Sequence, residues 1–200
     1  MKITAAVTIA MAAGFTGQAK ASGEHPRTVI VYIVNEYVAG KQLTLAKDQS
    51  AKMFAQIGIS IQWRSGVSCS LPHDAMVVEI MEQASQKRCA GALACAKPFE
   101  GVHISVFYDR IRTTVPDRTV SPLLAHVLVH EITHILQGVD RHSETGIMKA
   151  RWDVNDFEPM AHKHLNFCRG DVLLIERGFD ARESRAATAA NTSWSAAGSL

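Results

Sequence analysis

The chain has 200 residues, 47% of them apolar and 20% charged, with a formal net charge of +2. That length suits one domain with a real core, and that composition excludes a disordered or fibrous chain. The small basic excess raises nucleic-acid binding as a first hypothesis, which the N-terminus tests.

Met1 to Ala21 reads as a secretory signal peptide. Lys2 supplies the positive start, Ile3 to Phe15 is an uncharged apolar run, and Ala19-Lys20-Ala21 is an A-x-A cleavage site. The run is too short for a membrane span, which needs about 20 apolar residues. Cleavage removes Lys2 and Lys20 and leaves 19 basic residues against 19 acidic ones. The basicity therefore belongs to the export signal, and no Lys/Arg-rich run remains as a nucleic-acid footprint. The expectation is a secreted or periplasmic protein with no nucleic-acid partner and no membrane association after cleavage. In an oxidising compartment Cys69, Cys89, Cys95 and Cys168 are expected to form two disulfides. Three connectivities are open, and Cys89 and Cys95 bracket a short loop that suits local pairing.

Val29 to Val34 is a continuous run of mostly β-branched residues and predicts a strand buried on both faces. Leu43, Ala46, Ser50, Phe54 and Ile57 recur at helical spacing, so residues 41–57 predict an amphipathic helix stopped by Gly58. Ile59, Ile61 and Trp63 alternate with polar residues as in a half-buried strand. A strand–helix–strand unit of this size predicts a parallel crossover. Ala75 to Met81 predicts another strand, 83–99 an Ala/Gly-rich loop, and Val102 to Tyr108 a further strand.

Ser121-Pro122 reads as a helix start, with the helix running to about Gln137 and Gly138 just past its end. A last helix is expected from Asp153 or Asn155 to about Phe167. Residues 181–200, rich in Ala, Ser and Thr, are expected to be a disordered tail. The fold class is therefore α+β: a mixed twisted sheet with one helix before, and two helices after it.

His130-Glu131-Ile132-Thr133-His134 matches H-E-x-x-H. On a helix, positions i and i+4 share one face, so two imidazoles can meet one ion. The glutamate between them lies where it can take a proton from a zinc-activated water. A tetrahedral catalytic site needs one more protein ligand and leaves a position for water. Beyond the helix come Gly138, Asp140, His142, Ser143 and Met148.

Here the chain resembles the metzincin zinc peptidases, whose pattern is H-E-x-x-H-x-x-G-x-x-H followed by a turn containing methionine. His142-Ser143 is similar to the His-Ser ending of the matrixin branch. Gly138 comes one residue later than the pattern and His142 two residues later, while Asp140 holds the strict third position. The resemblance implies a metzincin-like fold over residues 22–180, with Zn2+ on His130, His134 and His142, Glu131 as catalytic base, and Met148 beneath the metal. Asp140 stays open as third ligand, and so does a carboxylate of the last helix, Asp153, Asp156 or Glu158. By analogy, the strand from Val102 to Tyr108 is the sheet edge that takes extended substrate.

The function expected is a secreted zinc endopeptidase acting on a peptide or protein substrate. The alternative is a non-catalytic secreted zinc-binding or interaction module, and a weaker third is a metal-dependent amidase acting on a non-peptide substrate. His126, one turn before His130, is read as a satisfied core histidine rather than a support for the ligands. His103, on a strand, is read as half-exposed.

Overall fold

A computed structural model describes residues 27–66, 72, 75–83, 89–96 and 102–197; the expected signal peptide, Cys69 and His73 lie outside them. The first strand, β1 (Arg27–Asn35), is followed by helix α1 (Gly40–Ala55) and strand β2 (Ile59–Ser65). Strands β3 (Met76–Met81), β4 (Ala94–Ala96) and β5 (His103–Phe107) come next. Helices α2 (Tyr108–Thr114), α3 (Asp117–Gln137), α4 (Val154–Met160) and α5 (Arg169–Ala197) complete the chain. The sheet order is β2-β1-β3-β5-β4. β1 is parallel to both β2 and β3, and β3 to β5, whereas β4 is antiparallel to β5. The α+β class with a mixed sheet is as expected, and so is the parallel β1–α1–β2 unit.

The period of two along each strand sorts residues between the faces. Val29, Val31, Ile33, Val78, Ile80, Ile104 and Val106 are buried and join one core with α1 and α3. The opposite face is partly solvated: Ile30, Tyr32 and Val34 are only half-buried, and Glu79 and His103 are exposed. The expectation that β1 is buried on both faces is thus corrected. β-branched residues satisfy the strand preference of the backbone even where one face stays half open. His103 falls on this open face, as expected of a half-exposed strand histidine.

Helix α3 is the centre of the packing. By length and composition it is apolar enough to cross a membrane, yet beyond its exposed first two residues it is buried inside the fold. α1 crosses it where small residues allow close approach, and the Ser50 hydroxyl donates to Ala46 O and Ala125 O. The helix starts at Asp117, one turn earlier than Ser121. The acidic Asp117 suits the positive end of the helix dipole, and Pro122 is tolerated in the second turn. Gly138, in the left-handed conformation at φ 66°, closes it with a bond to His134 O, as expected.

Four further elements differ from the sequence reading. The predicted loop at 83–99 contains β4, which makes β4, not the strand from Val102, the antiparallel sheet edge. A three-residue strand is too short to leave a periodic signal. The helix α2 follows β5 without a break. α4 begins at the expected Asp153 cap, with a capping box to Asp156, but ends at Met160 instead of Phe167. Pro159 interrupts its backbone bonds, and Leu165 N–H is taken by His126.

The fourth difference is α5, which continues through the residues expected to be loose as far as Ala197. Alanine-rich sequence carries high helix propensity even without an apolar stripe, and the lack of periodicity was the weaker signal. Its first half is well anchored. Asp171 and Ile175 are buried, Arg182 donates to Ile135 O at the C-terminus of α3, and Asp180 pairs with Arg27 at 2.8 Å. Among the described residues one disulfide is present, Cys89–Cys95, the locally paired option. Cys168 stands as a free thiol among the described residues, and Cys69, its partner in the expected second bridge, lies outside them. Cys168 precedes α5, where its sulfur meets the Ser143 hydroxyl at 3.4 Å.

Gly178 marks where α5 crosses α3. A Cβ at this position would overlap the backbone carbonyl of Leu136, which cannot move without displacing α3. Gly178→Ala is therefore expected to lower stability by about 1–3 kcal/mol, the usual cost of overpacking, although Ala is the better helix former. Urea unfolding of the variant beside the parent checks this, and equal or greater stability contradicts the packing.

Candidate metal centre

α3 presents His130, Glu131 and His134 from its buried C-terminal half, all less than one-tenth exposed. The chain then turns at Gly138, and an irregular segment brings the exposed His142 back to the same place. One ligand atom from each of His130, His134 and His142 lies within 4.8 Å of the others. The ring centroids are 4.7 Å apart for His130–His134, 5.3 Å for His130–His142 and 4.9 Å for His134–His142.

Hydrogen bonding fixes which nitrogen of each α3 histidine is free. His130 Nδ1 is 2.8 Å from Ile147 O, and His134 Nδ1 is 3.2 Å from Val139 O. A carbonyl oxygen only accepts, so each Nδ1 carries the proton. Burial holds His130 down to about 4 and also lowers His134, so at neutral pH neither ring carries a second proton. Each Nε2 is then a bare lone pair, yet the two approach to 3.1 Å. Two acceptors facing each other repel, and a cation between them removes the repulsion. With Zn–N bonds of about 2.0–2.1 Å in a tetrahedron, the N–N distance is about 3.3–3.4 Å, close to the separation here. The donor set and its geometry therefore fit zinc.

Glu131 lies beside this cluster. Burial pushes its carboxyl up to about 7, against a hydrogen bond from the Ala96 backbone, with the Asp140 charge adding to the rise. That bond comes from β4, the sheet edge. A cleft of about 690 Å³ opens over the site. Ala94, Cys95 and Ala96 form one wall, Trp152 and Phe157 another, and Glu131 and the three histidines line it between them. The Cys89–Cys95 disulfide and Arg110, which donates to Cys89 O and Ala92 O, hold the first wall.

The other carboxylates considered as third ligand are placed differently. Asp140 is exposed and lines the cleft, outside the three-histidine cluster. Asp153 and Asp156 form the α4 capping box and pair with Lys149 at 3.0 and 2.6 Å, and Glu158 is exposed on α4. Met148 is fully buried in the turn after His142, and its carbonyl accepts from Ser143 N–H at 2.7 Å. Gly146, at φ 79°, lets this turn press on Asn166, where a Cβ would collide with the backbone carbonyl. Sequence reasoning missed the Ala96, Ile147 and Val139 backbone groups, which carry no side-chain signal. It also missed Trp152, whose indole donates to Gly146 O and stands edge-on to His130 at 5.4 Å.

His126 is the satisfied core histidine expected. Its Nδ1 donates to Pro122 O at 2.7 Å, and its Nε2 accepts Leu165 N–H at 3.1 Å. Burial lowers its pKa to about 4, below the 6.5 of an exposed histidine. Between those values the unfolded chain binds a proton that the folded chain refuses, so stability falls as the pH drops from 6.5 to about 4. This shift corresponds to about 3 kcal/mol. The loss of denaturant stability between pH 7 and pH 4 should shrink by about that amount in His126→Phe, while stability at pH 7 also falls. An unchanged pH dependence in the variant contradicts the assignment.

No protein-family model and no curated protein matches this sequence. Among solved structures, the chain is similar to the crystal structure of archaemetzincin from Methanopyrus kandleri. The TM-score is 0.56 at 12% sequence identity, over 80% of this chain and 99% of that one. At that identity the likeness is one of fold.

Proposed function

We propose that this chain is a secreted zinc-dependent endopeptidase of metzincin-like type, with His130, His134 and His142 holding the metal and Glu131 as general base. The observation that carries the reading is the convergence of unprotonated imidazole nitrogens in a cleft, with a buried carboxyl next to them in the sequence. Zinc bound there would supply a Lewis acid that polarises a substrate carbonyl and makes water a usable nucleophile. Glu131 takes up the proton that the nucleophile loses and returns it to the leaving amine. Its environment suits both halves of that exchange, because burial keeps its proton affinity near neutrality and the Ala96 N–H holds its orientation.

The short edge strand β4 supports a peptide substrate. Its residues line the cleft, and an extended peptide can bond to such an edge. The likeness to archaemetzincin supports the same class. Among the described residues the cluster offers three protein ligands, which favours an open catalytic position over the closed four-ligand site of a structural clip. The Cys89–Cys95 disulfide agrees with export by the leader at residues 1–21, to the periplasm or the medium.

Glu131→Gln is expected to keep stoichiometric zinc while losing hydrolysis of a broad peptide library by at least about 10²-fold. Parent-level cleavage by the variant overturns the role of Glu131. For the third ligand, His142→Ala is expected to weaken zinc binding far more than Asp140→Ala. Loss of metal in the Asp140 variant alone assigns that position to Asp140.

A further inference from the structure

His142 differs from the other two histidines of the cluster. His130 and His134 are each oriented by a bond from Nδ1 to a carbonyl, whereas the His142 ring has no hydrogen bond among the described residues and is exposed. It also lies on an irregular segment, two residues farther from the helix than the compact third position occupied by Asp140. A longer connection has more freedom to lose on closing. Something other than the ring must hold it in place.

The residues on both sides of it supply the answer. The Ser143 hydroxyl donates to Asp171 Oδ1 at 2.6 Å, and Arg141 Nη1 reaches the same oxygen at 3.4 Å. Asp171 lies in the first turn of α5 with no exposure, and its Oδ2 accepts Cys168 N–H at 3.1 Å. The last bond caps α5, and the helix dipole favours an anion there. A cap alone does not require a fully buried carboxylate, nor bonds to both sequence neighbours of a distant histidine. Gln137, at the end of α3, donates to the Asp171 backbone carbonyl at 3.2 Å, so the same residue also joins the two helices.

We infer that Asp171 is a positioning residue for the third metal ligand. It clamps Arg141 and Ser143 so that His142 is presented to His130 and His134 without a bond to its own ring. The inference rests on the metal centre proposed above.

The test compares the parent with Asp171→Asn, Ser143→Ala, His142→Ala and Asp171→Asn/His142→Ala. Zinc affinity is measured by competition with a chromophoric chelator, and coordination by the visible spectrum of the cobalt-substituted protein. Asp171→Asn and Ser143→Ala are each expected to weaken zinc by about 10–100-fold, the range for groups that orient metal ligands, and to reduce the intense four-coordinate cobalt absorption. In the His142→Ala background, Asp171→Asn should cost little more, because no third ligand remains to be positioned. Parent-like affinity and spectrum in both single variants overturn the inference. So does an equal loss from Asp171→Asn with and without His142, which marks a purely structural role. Should Asp171→Asn fail to fold, Ser143→Ala decides alone, since it leaves the Cys168 cap intact. A parent that binds no zinc overturns the proposed metal centre, and this inference with it.

Discussion

Two backbone carbonyls decide what α3 can do. By accepting from Nδ1, Ile147 O and Val139 O fix both histidine tautomers and aim two lone pairs at one point. Without those bonds each ring could turn or bond elsewhere, and the H-E-x-x-H spacing would be only two histidines on one helix face. Both carbonyls lie in the segment that follows α3, so the path of the chain after Gly138 is part of the site. That path is held from several sides: Gly146 packs on Asn166, Trp152 donates back to Gly146, and Ser143 bonds to Met148 and Asp171.

Burial gives these contacts their chemical effect. α3 lies in the core, so its polar side chains are desolvated, and desolvation favours the neutral forms of both histidines and of Glu131. A neutral imidazole is a ligand, and a carboxyl balanced near neutrality can both accept and return a proton. The same burial would be costly without partners, and the structure supplies them from backbone groups on either side: Ile147 and Val139 for the rings, Ala96 for the carboxyl. The sheet matters mainly by bringing β4 to the edge beside α3.

The helix motif, Gly138 and the strand–helix–strand unit were legible in the sequence because each depends on local spacing. His142 could be named as a candidate but not separated from Asp140, because the connection is longer than the pattern it resembles. Its place beside His130 and His134 depends on α5, which starts 27 residues later and left no periodic signal. β4 was invisible because a strand from Ala94 to Ala96 is too short for a period, and α2 because it is short and follows β5 without a break. The tail misled in the opposite direction, its composition reading as loose chain where backbone propensity sustains a helix. The backbone groups that orient the site were beyond sequence reasoning altogether, since any residue type provides them.

The central claim is that three histidines form an open metal site. X-ray absorption at the zinc edge of the purified protein tests it most directly. The account predicts stoichiometric zinc with three imidazole nitrogens and one oxygen, all at about 2.0–2.1 Å. A sulfur neighbour at about 2.3 Å, a fourth protein ligand, or no bound zinc contradicts it.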